Sequence, residues 1–142
     1  MAAAIKKIFI DTSILIAFID RGAPKHLKAS KSMEDLARLG YRLYTSTQVV
    51  TDSYDLLSRE VGNIVALEFL QTVLQSGIEI LFPQRADIIT ANRILAANRD
   101  RQIPLSEALN ASMMQKRGII HILTFSYWNN LFGTSASNLT AI

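Results

Sequence analysis

Three carboxylates and one hydroxyl stand where a reactive site could be assembled. Asp11 ends the apolar run Ile8-Phe9-Ile10, Asp52 follows Tyr44-Thr45 by a few residues, Glu107 sits just past Pro104, and Ser126 closes Thr124-Phe125-Ser126. Each has an ordinary reading by itself. Asp11 can cap the helix after it, Asp52 can be a solvated surface acid, and Glu107 in a first helical turn meets the macrodipole favourably for about 0.3 to 1 kcal/mol. Gathered about 5 Å apart, the three acids would repel by roughly 3 kcal/mol per pair at an effective dielectric of about 20, or roughly 10 kcal/mol over the three pairs. A domain with about 5 to 15 kcal/mol of total stability cannot carry that unrelieved. Protons or a divalent cation must neutralise such a cluster. Hard oxygen donors without His or Cys select Mg²⁺ or Mn²⁺, and an ion of that kind activates water for in-line attack on a phosphodiester.

Whether the acids meet depends on the elements that carry them. The pattern predicts strands over Ile5–Ile10, Tyr41–Thr45, Ile78–Phe82 and Ile119–Thr124, with a last short strand at Leu139–Ile142. Between them fall an apolar helix after Asp11, an amphipathic helix over Leu27–Leu39 closed by Gly40, and helices over Gln48–Leu57, Ile64–Leu74, Ala86–Ala97 and Leu105–Met114. Strands alternating with helices call for right-handed crossovers and a parallel sheet with helices on both faces, so the fold class is α/β. In such sheets ligands collect at the carboxyl ends of the strands. Asp11 and Ser126 are delivered there directly, and Asp52 and Glu107 by the helices next to strands.

Length and composition narrow the setting. At 142 residues the expectation is one domain over 1–142, against a soft prior of roughly 150 residues each. With 49% hydrophobic residues, 19% charged, 6 Gly and 3 Pro, the chain has material for a packed interior and too little punctuation for disorder. The absence of cysteine excludes disulfides, a thiolate zinc site and a cysteine nucleophile, and suits a reducing, cytoplasmic compartment. No apolar run approaches the roughly 18 residues of a membrane span, so no membrane is expected as a partner, and no targeting segment is read. A net charge of +3 permits a nucleic-acid partner without demanding one.

The segments Ile8-Phe9-Ile10-Asp11-Thr12-Ser13, Tyr44 to Asp52, Leu105-Ser106-Glu107-Ala108-Leu109 and Gly118 to Ser126 resemble a PIN domain, and more narrowly the VapC-like ribonuclease toxins of bacterial toxin-antitoxin pairs. The likeness covers nearly the whole chain. It implies a three-layer α/β/α sandwich with a central parallel sheet, Mg²⁺- or Mn²⁺-dependent cleavage of single-stranded RNA, a homodimer and an antitoxin partner. The family pattern has Asp at 11, Glu at 52, and Asp at both 107 and 126. Asp11 matches, Asp52 and Glu107 keep an acid of altered length, and Ser126 breaks the pattern. The resemblance thus implies metal ligation by Asp11, Asp52 and Glu107, with the Ser126 hydroxyl positioning a water. Three acids in place of four imply weaker metal binding, and an alternative in which the chain is a weak or inactive RNA- or partner-binding module.

Other residues have competing readings. Arg21, Lys25, Lys28 and Lys31 form a basic group near the first helices, either a solvated face or a guide for a phosphate backbone. His121, inside a strand, is expected to be packed rather than ligating. Tyr127 and Trp128 offer either helix packing or a stacking surface for a base. Asp55 competes with Asp52 as the second acid. Aspartyl phosphotransferases are poorly matched: a dehalogenase-like site needs an Asp at position 13, which is Ser, and a receiver-like site needs a Lys after the late strand. No glycine-rich loop precedes a helix to cradle a nucleotide.

Overall fold

The computed structural model of the chain describes residues 4–126, 129, 131, 137 and 138. In chain order the elements are β1 (Lys7–Ile10), α1 (Thr12–Ile19), α2 (His26–Arg38), β2 (Arg42–Ser46), α3 (Thr47–Glu60), α4 (Asn63–Gln75), β3 (Glu79–Leu81), α5 (Arg85–Ala97), α6 (Leu105–Lys116), β4 (His121–Leu123) and β5 (Ser137–Asn138). All strands pair in parallel, in the order β3-β2-β1-β4-β5, and the helices flank the sheet in a three-layer α/β/α arrangement. The β-branched and aromatic run Ile8-Phe9-Ile10 makes β1 the central strand. All three side chains are fully buried, each worth about 1.5 to 3 kcal/mol relative to exposure.

The strand order fixes where a ligand can sit. From β1 the chain winds outward through β2 and β3, then returns to the other side of β1 as β4. The winding therefore reverses between β1 and β4, and the crevice beyond the carboxyl ends of those two strands is the topological switch point. Asp11 is the first residue past β1 and Thr124 the first past β4, and the Asp11 N–H donates to the Leu123 carbonyl at 3.1 Å. The two strand ends are thus joined at the crevice.

All four expected strands within the described residues begin later than their apolar patterns suggest, and for β2 and β4 one motif explains it. After α2, Gly40 adopts φ +82°, its N–H bonds the Ala37 carbonyl, and the Tyr41 N–H bonds the Leu36 carbonyl. After α6, Gly118 adopts φ +68°, its N–H bonds the Gln115 carbonyl, and the Ile119 N–H bonds the Met114 carbonyl. These are Schellman caps, which consume the N–H of the residue after the glycine and place its side chain against the last helical turn. Tyr41 and Ile119 belong to caps, and β2 and β4 start beyond them. Ile5, expected in β1, is 59% exposed, and pairing starts at Lys7 opposite Arg42. The strand expected at Leu139–Ile142 lies outside the described residues. Among the described residues no helix is long and apolar enough to cross a membrane.

Candidate functional site

The carboxylate of Asp11 does not cap α1. Its backbone carbonyl accepts from Ile14 and Leu15, but its side chain makes no cap hydrogen bond. Instead Oδ2 accepts from the Thr124 hydroxyl at 2.7 Å. The fully buried Thr124 Oγ1 also accepts from the Ser126 N–H at 2.9 Å and lies 3.2 Å from Ser13 Oγ. Because the single Thr124 proton goes to Asp11, Ser13 must donate to Thr124. Ser13 Oγ in turn accepts from the Phe125 N–H at 2.9 Å. Two short hydroxyl side chains thus clamp the ends of β1 and β4 together and orient the Asp11 carboxylate outward.

Asp52 and Glu107 are carried by helices that a second buried network holds in register. Ser46 caps α3 by accepting from the Val49 N–H at 3.2 Å, and its hydroxyl donates to Asn110 Oδ1 at 2.6 Å. Gln48 Nε2 donates to the same oxygen at 3.2 Å. Asn110 lies on α6 one turn after Glu107, so the helix bearing Asp52 is tied to the helix bearing Glu107. Glu107 is half-buried and accepts from Asn129 Nδ2, while Asn129 Oδ1 accepts from Arg101 Nη2 at 2.5 Å. Asp52 is exposed and, among the described residues, has no hydrogen-bond or ion-pair partner. Ser126 is likewise exposed, with its backbone fixed by Thr124.

The acids feel one another. Partial desolvation, then the negative charges of Asp55 and Asp11, push the Asp52 carboxyl above its ordinary value. Glu107 is also pushed up, first by desolvation and further by Asp11, against the lowering effects of Asn129 and Arg101. Asp11 is therefore the common neighbour of both helix-borne acids, with Asp55 acting on Asp52 from one helical turn away. Among the described residues, however, no three Asp, Glu or His side chains stand close enough together to hold one ion. The expectation of a cluster about 5 Å across is thus corrected to a looser arrangement, joined by its field rather than by contact. All three acids offer hard oxygen donors, which fits a divalent cation by chemistry.

His121 opens β4, at the end of the strand away from the crevice, and is half-buried rather than fully packed in the core. Tyr127 and Trp128 lie outside the described residues. The roles of Thr124 and Ser13 in orienting Asp11, and of Asn110, Asn129 and Arg101 around Glu107, went unread. For Thr124 a signal existed, since hydroxyl residues stand within three positions of the end of each of the two strands that flank the switch point. For Asn129 and Arg101 none did.

Comparison with known proteins gives a consistent picture. The family model described as the PIN domain matches residues 8–126. Ribonuclease VapC26 of Mycobacterium tuberculosis is 28% identical over 117 residues, covering 82% of this chain and 84% of the relative. Among solved structures, Mycobacterium tuberculosis VapC20, a sarcin-ricin loop cleaving toxin, is similar with a TM-score of 0.74 at 20% identity, over 92% of this chain and 96% of that one. FitAcB from Neisseria gonorrhoeae gives 0.67 at 14% identity over 92% and 95% of the two chains. VapBC2 from Rickettsia felis, bound to a DNA fragment from its promoter, gives 0.65 at 16% identity over 84% and 88%. At these identities the structural likeness speaks for the fold alone.

Proposed function

Because the chain belongs to the PIN domain family, we propose that it is a divalent-metal-dependent endoribonuclease that cleaves single-stranded RNA as the toxin of a toxin-antitoxin pair. The observation that carries this reading is the set of acids at the switch point: Asp52 and Glu107 are both held above their ordinary values, first by desolvation, with the charge of Asp11 adding to each. Like charges kept together at a solvent-open crevice favour a cation there. The ribonuclease VapC26 supports the reaction class, and the VapBC complexes among the structural relatives support an antitoxin partner.

In this reading Asp11, Asp52 and Glu107 hold Mg²⁺ or Mn²⁺. Such an ion, when bound, activates water and neutralises charge developing on a phosphodiester. The chain supplies the rest. Thr124 fixes the Asp11 carboxylate by its donated proton, and Asn129 fixes that of Glu107. Ser126, with its backbone pinned and its hydroxyl exposed, positions a water at the edge of the crevice. We further read 1–142 as one domain, acting in the cytoplasm as a homodimer. Titration with Mn²⁺ alongside a cleavage assay on a single-stranded oligonucleotide tests the proposal. Binding at millimolar Mn²⁺ or below, with cleavage that a chelator abolishes, is expected. Absence of both overturns it.

A second reading has its own observation: Ser126 replaces the family's fourth acid, and the remaining three are spread too widely for one ion as they stand. The chain would then be a PIN-like binding module without turnover. If the natural protein is inert and Ser126→Asp gains cleavage, this reading holds. If the natural protein cuts and Asp11→Ala stops it, this reading fails.

A further inference from the structure

Two ammonium groups crowd one aromatic ring at the rim of the crevice. Lys25 Nζ stands 4.8 Å and Lys28 Nζ 5.7 Å from the centre of the Phe125 ring. Both lysines are exposed, and neither has a carboxylate partner among the described residues. They also occupy the start of α2, at its N-cap and first turn, where no acidic residue offsets them. Like charges placed near each other and near the positive pole of a helix are adverse on both counts. The ring face compensates only in part, since cation–π attraction is weak at exposed sites. Further along the same helix the situation reverses. Lys31 and Arg38 both pair with Asp35, at 3.4 and 2.5 Å. The excess positive charge is therefore concentrated over Phe125 and is missing an anion.

The backbone that carries the ring is tied to the acids. The Phe125 N–H bonds Ser13 Oγ, Ser13 bonds Thr124, and Thr124 bonds Asp11, each within 3.2 Å. An anion taken by the lysines is thus placed on the same rim as the Asp11 carboxylate. We propose that Lys25 and Lys28, steadied by Phe125, form the subsite that takes the phosphodiester backbone of single-stranded RNA and lays it beside Asp11. This rests on the ribonuclease reading and deepens it by naming residues that place the substrate. A substrate polyanion needs such an anchor, because the acids of the crevice repel it. Phe125 acts as a positioning residue, keeping the two ammonium groups over one point.

The test uses full-length protein carrying Asp11→Asn, so that RNA survives, and anisotropy of a labelled single-stranded oligonucleotide over a salt series. Adding Lys25→Ala and Lys28→Ala should weaken binding about tenfold at low salt and flatten the salt slope by about 0.7 per lysine. Lys25→Arg with Lys28→Arg should restore both. Phe125→Leu should weaken binding about threefold while leaving the slope nearly unchanged, since slope counts charges. With Asp11 intact, the double alanine variant should raise KM and leave kcat near its natural value. Unchanged affinity and slope overturn the proposal, as does a loss of binding confined to an acidic peptide such as polyglutamate. The two readings fail separately. Cleavage with no effect of the lysines refutes the subsite alone, whereas lysine-dependent RNA binding by a protein that never cleaves refutes the ribonuclease and leaves the subsite standing.

Discussion

Asp87 and the acids of the crevice are the same chemistry in opposite circumstances. Asp87 on α5 is fully buried, and every lone pair is used: the Gln84 N–H at 2.7 Å, the Ser112 hydroxyl at 2.7 Å, and Lys116 Nζ at 3.1 and 3.2 Å. Burial pushes its carboxyl up, but those donors and the lysine charge outweigh it and hold the group below its ordinary value. Asp52 and Glu107 are shifted the other way: desolvation raises each most, the charge of Asp11 adds to both and that of Asp55 to Asp52, and the donors reaching Glu107 do not outweigh them. Desolvation raises all three carboxyls, and what separates them is whether donors and a cation outweigh it. The satisfied acid bolts α5 to α6, and the unsatisfied ones retain capacity for something the chain does not itself provide.

That contrast implies a double dissociation. Asp11→Asn keeps an oxygen for Thr124 to donate to and loses no helix cap, but removes the charge common to both helix-borne acids. Cleavage of RNA should fall by about 10²- to 10³-fold, the range for one preorganised electrostatic group, while unfolding stability stays within about 0.5 kcal/mol of the natural protein. Asp87→Ala should do the reverse. It strands the Ser112 hydroxyl and the Gln84 N–H, although the half-exposed Lys116 can still reach water, so urea denaturation should show a loss of about 2 to 3 kcal/mol with activity per folded molecule preserved. If Asp11→Asn proves the destabilising change, the distinction drawn between the two regions is wrong.

Thr124 sits between the two cases, a satisfied buried hydroxyl serving an unsatisfied acid. Thr124→Val keeps shape and removes the proton that orients Asp11. Metal affinity measured by calorimetry should drop about tenfold, the low end for losing a group that orients a ligand. An unchanged affinity would mean that the Asp11 carboxylate is oriented by something other than the hydroxyl clamp.

Much of the frame was legible in the chain. Alternating apolar strands and helices, with Pro104 opening α6 and Gly40 and Gly118 closing helices, gave the parallel α/β order, because period and punctuation are local properties. Strand starts were read too early at Tyr41 and Ile119, since a Schellman cap borrows an apolar residue that looks like strand. The site was legible as a set of positions and not as a geometry. The bonds that orient Asp11 join residues more than a hundred positions apart, and those that align α3 with α6 join Ser46 and Gln48 to Asn110. No spacing rule reaches that far. The distance between acids, on which the repulsion argument rests, follows from these tertiary bonds and came out looser than expected.

The smallest effect is the one that tests the electrostatic contrast most directly. A carboxyl whose folded value lies above its unfolded value takes up protons in the native state first, so stability rises as pH falls across that window. Asp52 and Glu107, with unfolded values near 3.8 and 4.5, belong to this class. Asp87 belongs to the other. Its contribution is fully present above 3.8 and disappears only as pH falls through its still lower folded value. In chelator-containing buffer, lowering pH from 7 toward the upper carboxylate range should therefore relieve the crevice before it touches the α5–α6 bolt. Solvent screens the exposed Asp52, so the gain should be about 0.5 kcal/mol or less. Other titrating groups overlay it, and the difference between the natural protein and the Asp52→Asn, Glu107→Gln double variant isolates it. Saturating Mn²⁺ should replace that difference by a larger one of opposite slope, because the ion stabilises only the protein that keeps its ligands and protons then compete with it. A natural protein and a double variant with parallel pH profiles in chelator would show that the acids do not share a field, and the crevice would lose its claim to bind a metal.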